Sequence, residues 1–125
     1  MQENTNPKLL FEVAKIGVGG IQLGELLIKN GHQNSRITYL KVDIESAELE
    51  ALPVWIKSGA LNNAMQLGLE LHGVDRYPSE FWSILQDLYH LGFRVISYDP
   101  NFCSSYATRG LYQSFEIVFI NADDY

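Results

Sequence analysis

Apolar runs separated by polar and glycine-rich turns predict that strands and helices alternate along most of the chain. Compact apolar runs, rich in β-branched side chains, predict strands at residues 9–18, 37–42, 65–71, 93–98 and 112–121. Apolar residues at helical spacing predict helices at residues 21–29, 46–59 and 78–92. Helices between strands imply parallel pairing through crossovers, whereas a polar loop at residues 99–110 permits an antiparallel pair between the last two strands. The pattern therefore predicts a three-layer α/β domain.

The second and third predicted helices carry start and stop signals. Ser46 is expected to cap the second helix and Gly59 to end it. Pro53 is expected to break or kink this helix unless it opens a separate turn. Pro78 starts the third helix, which ends before Gly92. The apolar residues of the third helix share one face and are expected to face the core: Phe81, Trp82, Leu85, Leu88 and Tyr89.

Polar side chains follow several of the predicted strands at the point where each strand ends. Open α/β sheets bind ligands beyond the carboxyl ends of their strands. The polar residues at these ends are Asp43, Glu45, Glu70, His72, Asp99 and Asn101. His72 is a candidate base, because a neutral imidazole can accept a proton near neutral pH. Glu48 and Glu50, further into the second helix, are expected to face solvent.

Composition excludes several classes of protein. The 125 residues suit one compact domain, since 46% are apolar and 19% are charged. A net charge of −6 argues against nucleic acid as a partner. The only cysteine, Cys103, cannot form an internal disulfide, and no apolar run is long enough to span a membrane. If the chain is the complete product, it is expected to be cytoplasmic; otherwise the sequence leaves its compartment unknown.

The glycines at residues 17–20 lie between a predicted strand and a predicted helix, where a nucleotide-binding loop would lie. Asp43 follows near the distance expected of a ribose-binding acid. The spacing nevertheless departs from G-x-G-x-x-G, because Gly24 comes four residues after Gly20. A simple turn is therefore the preferred interpretation, and a minimal dinucleotide or S-adenosylmethionine (SAM) module stays open as the alternative.

Residues 40–48 read LKVDIESAE, with Ser46 at a position where a glycine is usual in a known family. This segment resembles the LKxDIEGAE segment of FkbM-like methyltransferases, especially the animal methyltransferase-like proteins. Three later segments agree with that family in order and spacing. They are Gln66-Leu67 with Glu70-Leu71-His72, Leu91-Gly92-Phe93 followed by Asn101, and Glu116-Ile117-x-Phe119-x-Asn121. The resemblance covers roughly residues 11 to 121.

The resemblance implies the C-terminal half of a class I (Rossmann-like) methyltransferase sheet whose last strand is antiparallel. Residues 1–10 would be an N-terminal tail and residues 11–125 a partial methyltransferase domain. The glycine loop that holds the methyl donor, SAM, would lie before Met1. The resemblance also implies site roles. Asp43, Glu45 and His72 would be catalytic, and Glu70 and Asn101 would bind the acceptor, an oxygen or nitrogen of an unknown small molecule or protein.

Other interpretations of the same residues stay open. Asp43 and Glu45 could simply favour the positive end of the following helix. Asp43 with Glu70 or His72 could hold a divalent ion, as in metal-assisted methyl transfer to hydroxyls, but so few ligands assign no metal. A metal-dependent hydrolase built on Asp43, Glu45, Glu70 and His72 is a further alternative, although too few ligands with recognisable spacing support it. The chain could also be a truncated or degenerate, non-catalytic interaction module. In that case residues 37–42 would form an exposed strand edge through which the chain associates with itself.

Overall fold

A computed structural model describes residues 15–17, 19–45, 47–100 and 114–124. Within them, helices and strands alternate as the sequence predicts. The elements are α1 (Leu23–Lys29), β1 (Ile37–Val42), α2 (Glu48–Ser58), β2 (Ala64–His72), α3 (Pro78–His90), β3 (Phe93–Pro100), β4 (Ser114–Asn121) and a final 3-10 turn (Ala122–Asp124). The strand predicted at residues 9–18 lies mostly outside the described residues. Of its described part, Ile16 forms a single parallel bridge with Ile21. Ser46, the expected helix cap, also lies outside them.

The four strands form one mixed sheet in the order β1-β2-β4-β3. β1 and β2 are parallel, and β4 is antiparallel to both β2 and β3. The antiparallel pairing predicted for the last strand is therefore confirmed. In the described part of the chain, β1 is hydrogen-bonded along one side only. The described residues form an α/β fold with a four-stranded sheet and three α-helices.

One face of this sheet carries the core. Leu67, Leu69 and Leu71 alternate along β2 and are fully or almost fully buried, because they face the helices. Ile84 and Leu88 of α3 pack against the same core cluster. Burying each such side chain contributes roughly 1.5–3 kcal/mol. The intervening residues of β2 point to the opposite, more polar face, and this alternation places the site described below.

The expectation that Pro53 breaks its helix is wrong, because α2 runs through Pro53 from Glu48 to Ser58. Proline removes one backbone donor, so the helix must be held by other contacts. Ala51, Leu52 and Trp55 supply them, since all three are buried in the core on both sides of Pro53. Gly59 ends the helix in the left-handed conformation, as predicted.

The predicted orientation of α3 is wrong for two of its aromatic residues. Phe81 is 1% exposed, whereas Trp82 is 62% and Tyr89 is 57% exposed. The helix turns Phe81, Ile84 and Leu88 toward the sheet. Trp82 and Tyr89 consequently lie on its flank, beside the edge strand β3, where they line an open groove.

Candidate functional site

The carboxyl ends of β1 and β2 bring four of the predicted site residues together. Because Val42 pairs with Leu69 in parallel register, Asp43 comes to lie beside Glu70. Glu70 and His72 are two residues apart on β2, so both side chains project from the face opposite the core leucines. Glu45 follows in a left-handed conformation, with φ of 53°, which turns the chain sharply before α2.

The distances define a compact cluster centred on His72. The Nε2 atom of His72 lies 3.5 Å from Oε1 of Glu70 and 3.8 Å from Oδ1 of Asp43. One ligand atom each from Asp43, Glu45 and His72 lies within 4.8 Å of the other two. We refer to Asp43, Glu45, Glu70 and His72, together with Glu48 behind them, as the acidic cluster.

Glu48 is the site residue that the sequence prediction missed. It was expected to face solvent, yet its side chain is 0% exposed. Its Oε1 atom accepts a hydrogen bond from His72 Nδ1 at 2.7 Å and one from the Ile44 amide at 3.4 Å. A signal for this burial was present, because Glu48 stands four and seven residues before Leu52 and Trp55, on the buried face of α2.

The hydrogen bond to Glu48 orients the imidazole of His72. Since a carboxylate only accepts, Nδ1 carries the proton, and Nε2 is directed toward the open side with Asp43 and Glu70. Burial lowers the pKa of His72, but the hydrogen bond and charge of Glu48, with the charges of Glu70 and Glu45, outweigh it. The net result is a raised pKa, so the ring holds its second proton more tightly than a free histidine.

Glu70 and Asp43 also interact with each other in the cluster. The pKa of Glu70 is raised, first by burial and then by the hydrogen bond to Asp43 and its charge, while His72 partly offsets this effect. Glu70 therefore holds a proton more tightly than an isolated surface carboxyl group would.

The other sequence candidates lie elsewhere. Asp99 lies on β3 and pairs with Glu116 of β4, two strands away from β2 in the sheet order. Asn101, predicted to bind the acceptor, lies outside the described residues, as does Cys103. The structure thus brings together Asp43, Glu45, Glu70 and His72 only.

The glycine-rich turn at residues 17–20 uses its own amides. The Gly17 amide donates to the Ile21 carbonyl at 3.1 Å, and the Gly20 amide donates to the Gly17 carbonyl at 2.9 Å. A Cβ atom at Gly20 would collide with the Lys15 carbonyl oxygen, so the glycine serves the close approach of the chain to itself. These two amides are therefore not available to cradle a phosphate.

Comparison with known proteins adds no identity to this geometry. No family model matches the chain, and neither does any curated protein or solved structure. Among the described helices, none is both long and apolar enough to cross a bilayer. The function must therefore be inferred from the acidic cluster and the sheet that positions it.

Proposed function

We propose that this chain is a segment of a SAM-dependent methyltransferase that transfers a methyl group to an oxygen or nitrogen of its acceptor. One observation carries the proposal. The acidic cluster follows the LKVDIE segment at the carboxyl ends of two parallel strands, in a sheet whose last strand is antiparallel. The resemblance to FkbM-like methyltransferases implies the same placement of the same residues.

The chemistry of the cluster suits removal of a proton from a methyl acceptor. His72 is held by Glu48 with its Nε2 directed outward, where an acceptor hydroxyl or amine can donate to it. Because the pKa of His72 is raised, its neutral form is a stronger base than an ordinary histidine. Asp43 and Glu70 stabilise the imidazolium that forms when the proton is taken.

The methyl-bearing sulfur of SAM and its nucleotide place different demands on the protein. SAM supplies an electrophilic methyl group on a positively charged sulfur, and the carboxylates of Asp43 and Glu45 suit that charge. The glycine-rich turn offers no cradle for its nucleotide, because the amides of Gly17 and Gly20 are bonded within that turn. The nucleotide would therefore be bound by residues outside this turn.

The test measures cofactor binding and methyl transfer separately on the full gene product. We expect calorimetry to show binding of S-adenosylhomocysteine, and tritiated SAM to label a fraction of small molecules or proteins from the source organism. His72→Gln should retain cofactor binding while lowering transfer by roughly 10²- to 10⁴-fold, the range for loss of a general base. His90→Gln, at an exposed histidine of α3, is the matched control and should leave transfer unchanged.

Failure of the full product to bind either SAM or S-adenosylhomocysteine would contradict the proposal. So would equal transfer rates in His72→Gln and the wild-type protein. A positive result requires both binding and a His72-dependent rate.

A non-catalytic interaction module is the second candidate, and the edge of the sheet favours it. In the described residues β1 pairs only with β2, so its other side presents backbone groups that another strand could bind. This candidate predicts a concentration-dependent dimer in light scattering, with slower hydrogen exchange at the amides of Ile37–Val42 in the dimer. A monomer at all concentrations would contradict it.

A further inference from the structure

We propose that Asp43, Glu45 and His72 form a binding site for a divalent transition-metal ion, with Glu48 as the buried residue that orients the histidine ligand. The proposal can be tested apart from methyl transfer, although an ion bound at Nε2 of His72 would occupy the atom that the proposed base uses. It rests on the positions of the ligand atoms, on the buried carboxylate of Glu48 and on the local balance of charge.

The ligand atoms are close enough to share one ion after small side-chain movements. One oxygen of Asp43, one of Glu45 and one ring nitrogen of His72 lie within 4.8 Å of one another. Around an ion with metal–ligand distances of about 2.1 Å, neighbouring ligands lie roughly 3.0–3.4 Å apart. Asp43 and Glu45 are exposed and can rotate by the remaining ångström or so, whereas His72 is held in place.

Glu48 supplies the independent observation that points to a cation. Its carboxylate is fully buried directly behind His72, and its Oε2 atom has no hydrogen-bond partner among the described residues. A buried, incompletely paired carboxylate is costly unless a positive charge lies nearby. Metal-bound histidines commonly donate their second nitrogen to a carboxylate in this way, which fixes the ring and strengthens the ligand.

The balance of charge in the cluster favours a cation with more than one positive charge. Four carboxylates surround His72, and it is the only basic side chain that bonds to them among the described contacts. Lys41, the nearest basic residue in sequence, is engaged by Glu116 at 2.8 Å. A divalent ion at Nε2 would balance this charge more completely than the single proton that His72 can bind.

The ligand set indicates the kind of metal. Calcium and magnesium prefer oxygen ligands alone, whereas one imidazole with carboxylates suits zinc or manganese. Three protein ligands leave at least one coordination position open, as in catalytic rather than structural sites. The open position would face the same side as Nε2 of His72, where water or a hydroxyl-bearing acceptor could bind.

The experiment is a calorimetric titration of the purified full chain with zinc chloride and, separately, manganese chloride, in metal-free buffer near pH 7.5. We expect one ion per chain at micromolar affinity or tighter, and a rise in the midpoint of thermal unfolding. Binding of cobalt(II) should add visible absorption bands, and X-ray absorption should show one imidazole nitrogen bound to the metal.

Three variants distinguish the residues that hold the metal from an acidic residue nearby that does not. Glu45→Gln removes an exposed ligand and Glu48→Gln alters the buried orienting residue, so each should weaken binding roughly 10- to 100-fold. Glu50→Gln, an exposed acid in the same helix as Glu48, is the matched control and should bind as the wild type does. Circular dichroism establishes that each variant is folded, and Glu45→Gln keeps the test valid if Glu48→Gln does not fold.

Two results would overturn the site. One is the absence of binding by either metal at millimolar concentration. The other is binding that Asp43→Asn and Glu45→Gln leave unchanged, since the ion would then be held elsewhere. Methyl transfer by a protein that binds neither metal in the titration would leave the proposed function intact while this site fails. Metal binding by a protein that does not bind S-adenosylhomocysteine would support the metal site and contradict the proposed function.

Discussion

The acidic cluster and the groove between α3 and β3 are two openings in the same small domain, and they differ in almost every respect. The groove has a volume of about 730 Å³. Its lining is mostly apolar and includes Trp82, Leu85, Tyr89, Val95, Tyr98 and Phe119. The cluster is small and polar, and a fully buried carboxylate orients its histidine.

The two openings also differ in how their polar groups are arranged. The charged group at the groove, Arg94, is engaged locally, because its guanidinium lies 3.7 Å from the Tyr89 ring centroid and donates to the Tyr89 carbonyl. In the cluster, by contrast, Nε2 of His72 and the carboxylates of Asp43 and Glu45 face the same space. Convergent polar groups with a fixed orientation are what catalysis and metal binding require.

The largest expected effect is on the free energy of unfolding, and it should differ between the side of α3 that faces the core and the side that faces the groove. Phe81→Ala should lower the free energy of unfolding by about 3–5 kcal/mol, because it removes a buried aromatic side chain and leaves a cavity. Trp82→Ala, one residue further on, should cost less than about 1 kcal/mol, because its side chain is largely exposed. Urea unfolding of both variants measures the difference. Equal losses would mean that the groove is covered in the folded protein.

The next effect concerns the acidic cluster and is a dependence of stability on pH. The folded pKa of His72 is raised, so its contribution is complete below the unfolded value of about 6.5 and is lost as the pH rises through the folded value. The pKa of Glu70 is also raised, so the folded state is less stable above that pKa than below it. In a chelating buffer, the free energy of unfolding should therefore fall as the pH rises from about 6.5 through the folded pKa of His72.

The slope of that fall should stay below about 1.4 kcal/mol per pH unit, the limit for one proton. His72→Gln should flatten the profile, whereas His90→Gln, outside the cluster, should preserve it. A stability that rises with pH above about 6.5 would contradict the assigned direction of the His72 pKa shift. Substitutions in the groove should leave the profile as it is, since the groove does not contact the cluster residues.

The sequence predicted the cluster better than the groove, and the reason is physical. Parallel strands place their carboxyl ends at one edge, so Asp43, Glu70 and His72 could be brought together from strand order alone. Glu48 was missed because a charged residue in the first turn of a helix is usually solvated. Its helical spacing to the buried Leu52 and Trp55 was the contrary signal.

The orientation of α3 could not be predicted in the same way. Periodicity identifies an apolar stripe, but it does not show which part of the stripe meets the sheet. Phe81 and Trp82 are adjacent and similar in character, and the position of the edge strand β3 decides which of them is buried. Pro53 failed as a helix breaker for a related reason, because packing of its neighbours against the sheet outweighed a local preference.

The smallest effect compares an ion pair that joins α2 to β2 with one that joins β1 to β4. Glu48 and His72 are paired with the carboxylate buried, whereas Lys41 and Glu116 are paired at 2.8 Å with each side chain 47% exposed. Water screens the exposed pair, and ordering two long side chains offsets the attraction. Lys41→Met should therefore leave the midpoint of thermal unfolding unchanged within error, at both low and high salt. A clear loss of stability would mean that the Lys41–Glu116 pair is shielded from water more than its exposure indicates, and that it resembles the buried Glu48–His72 pair.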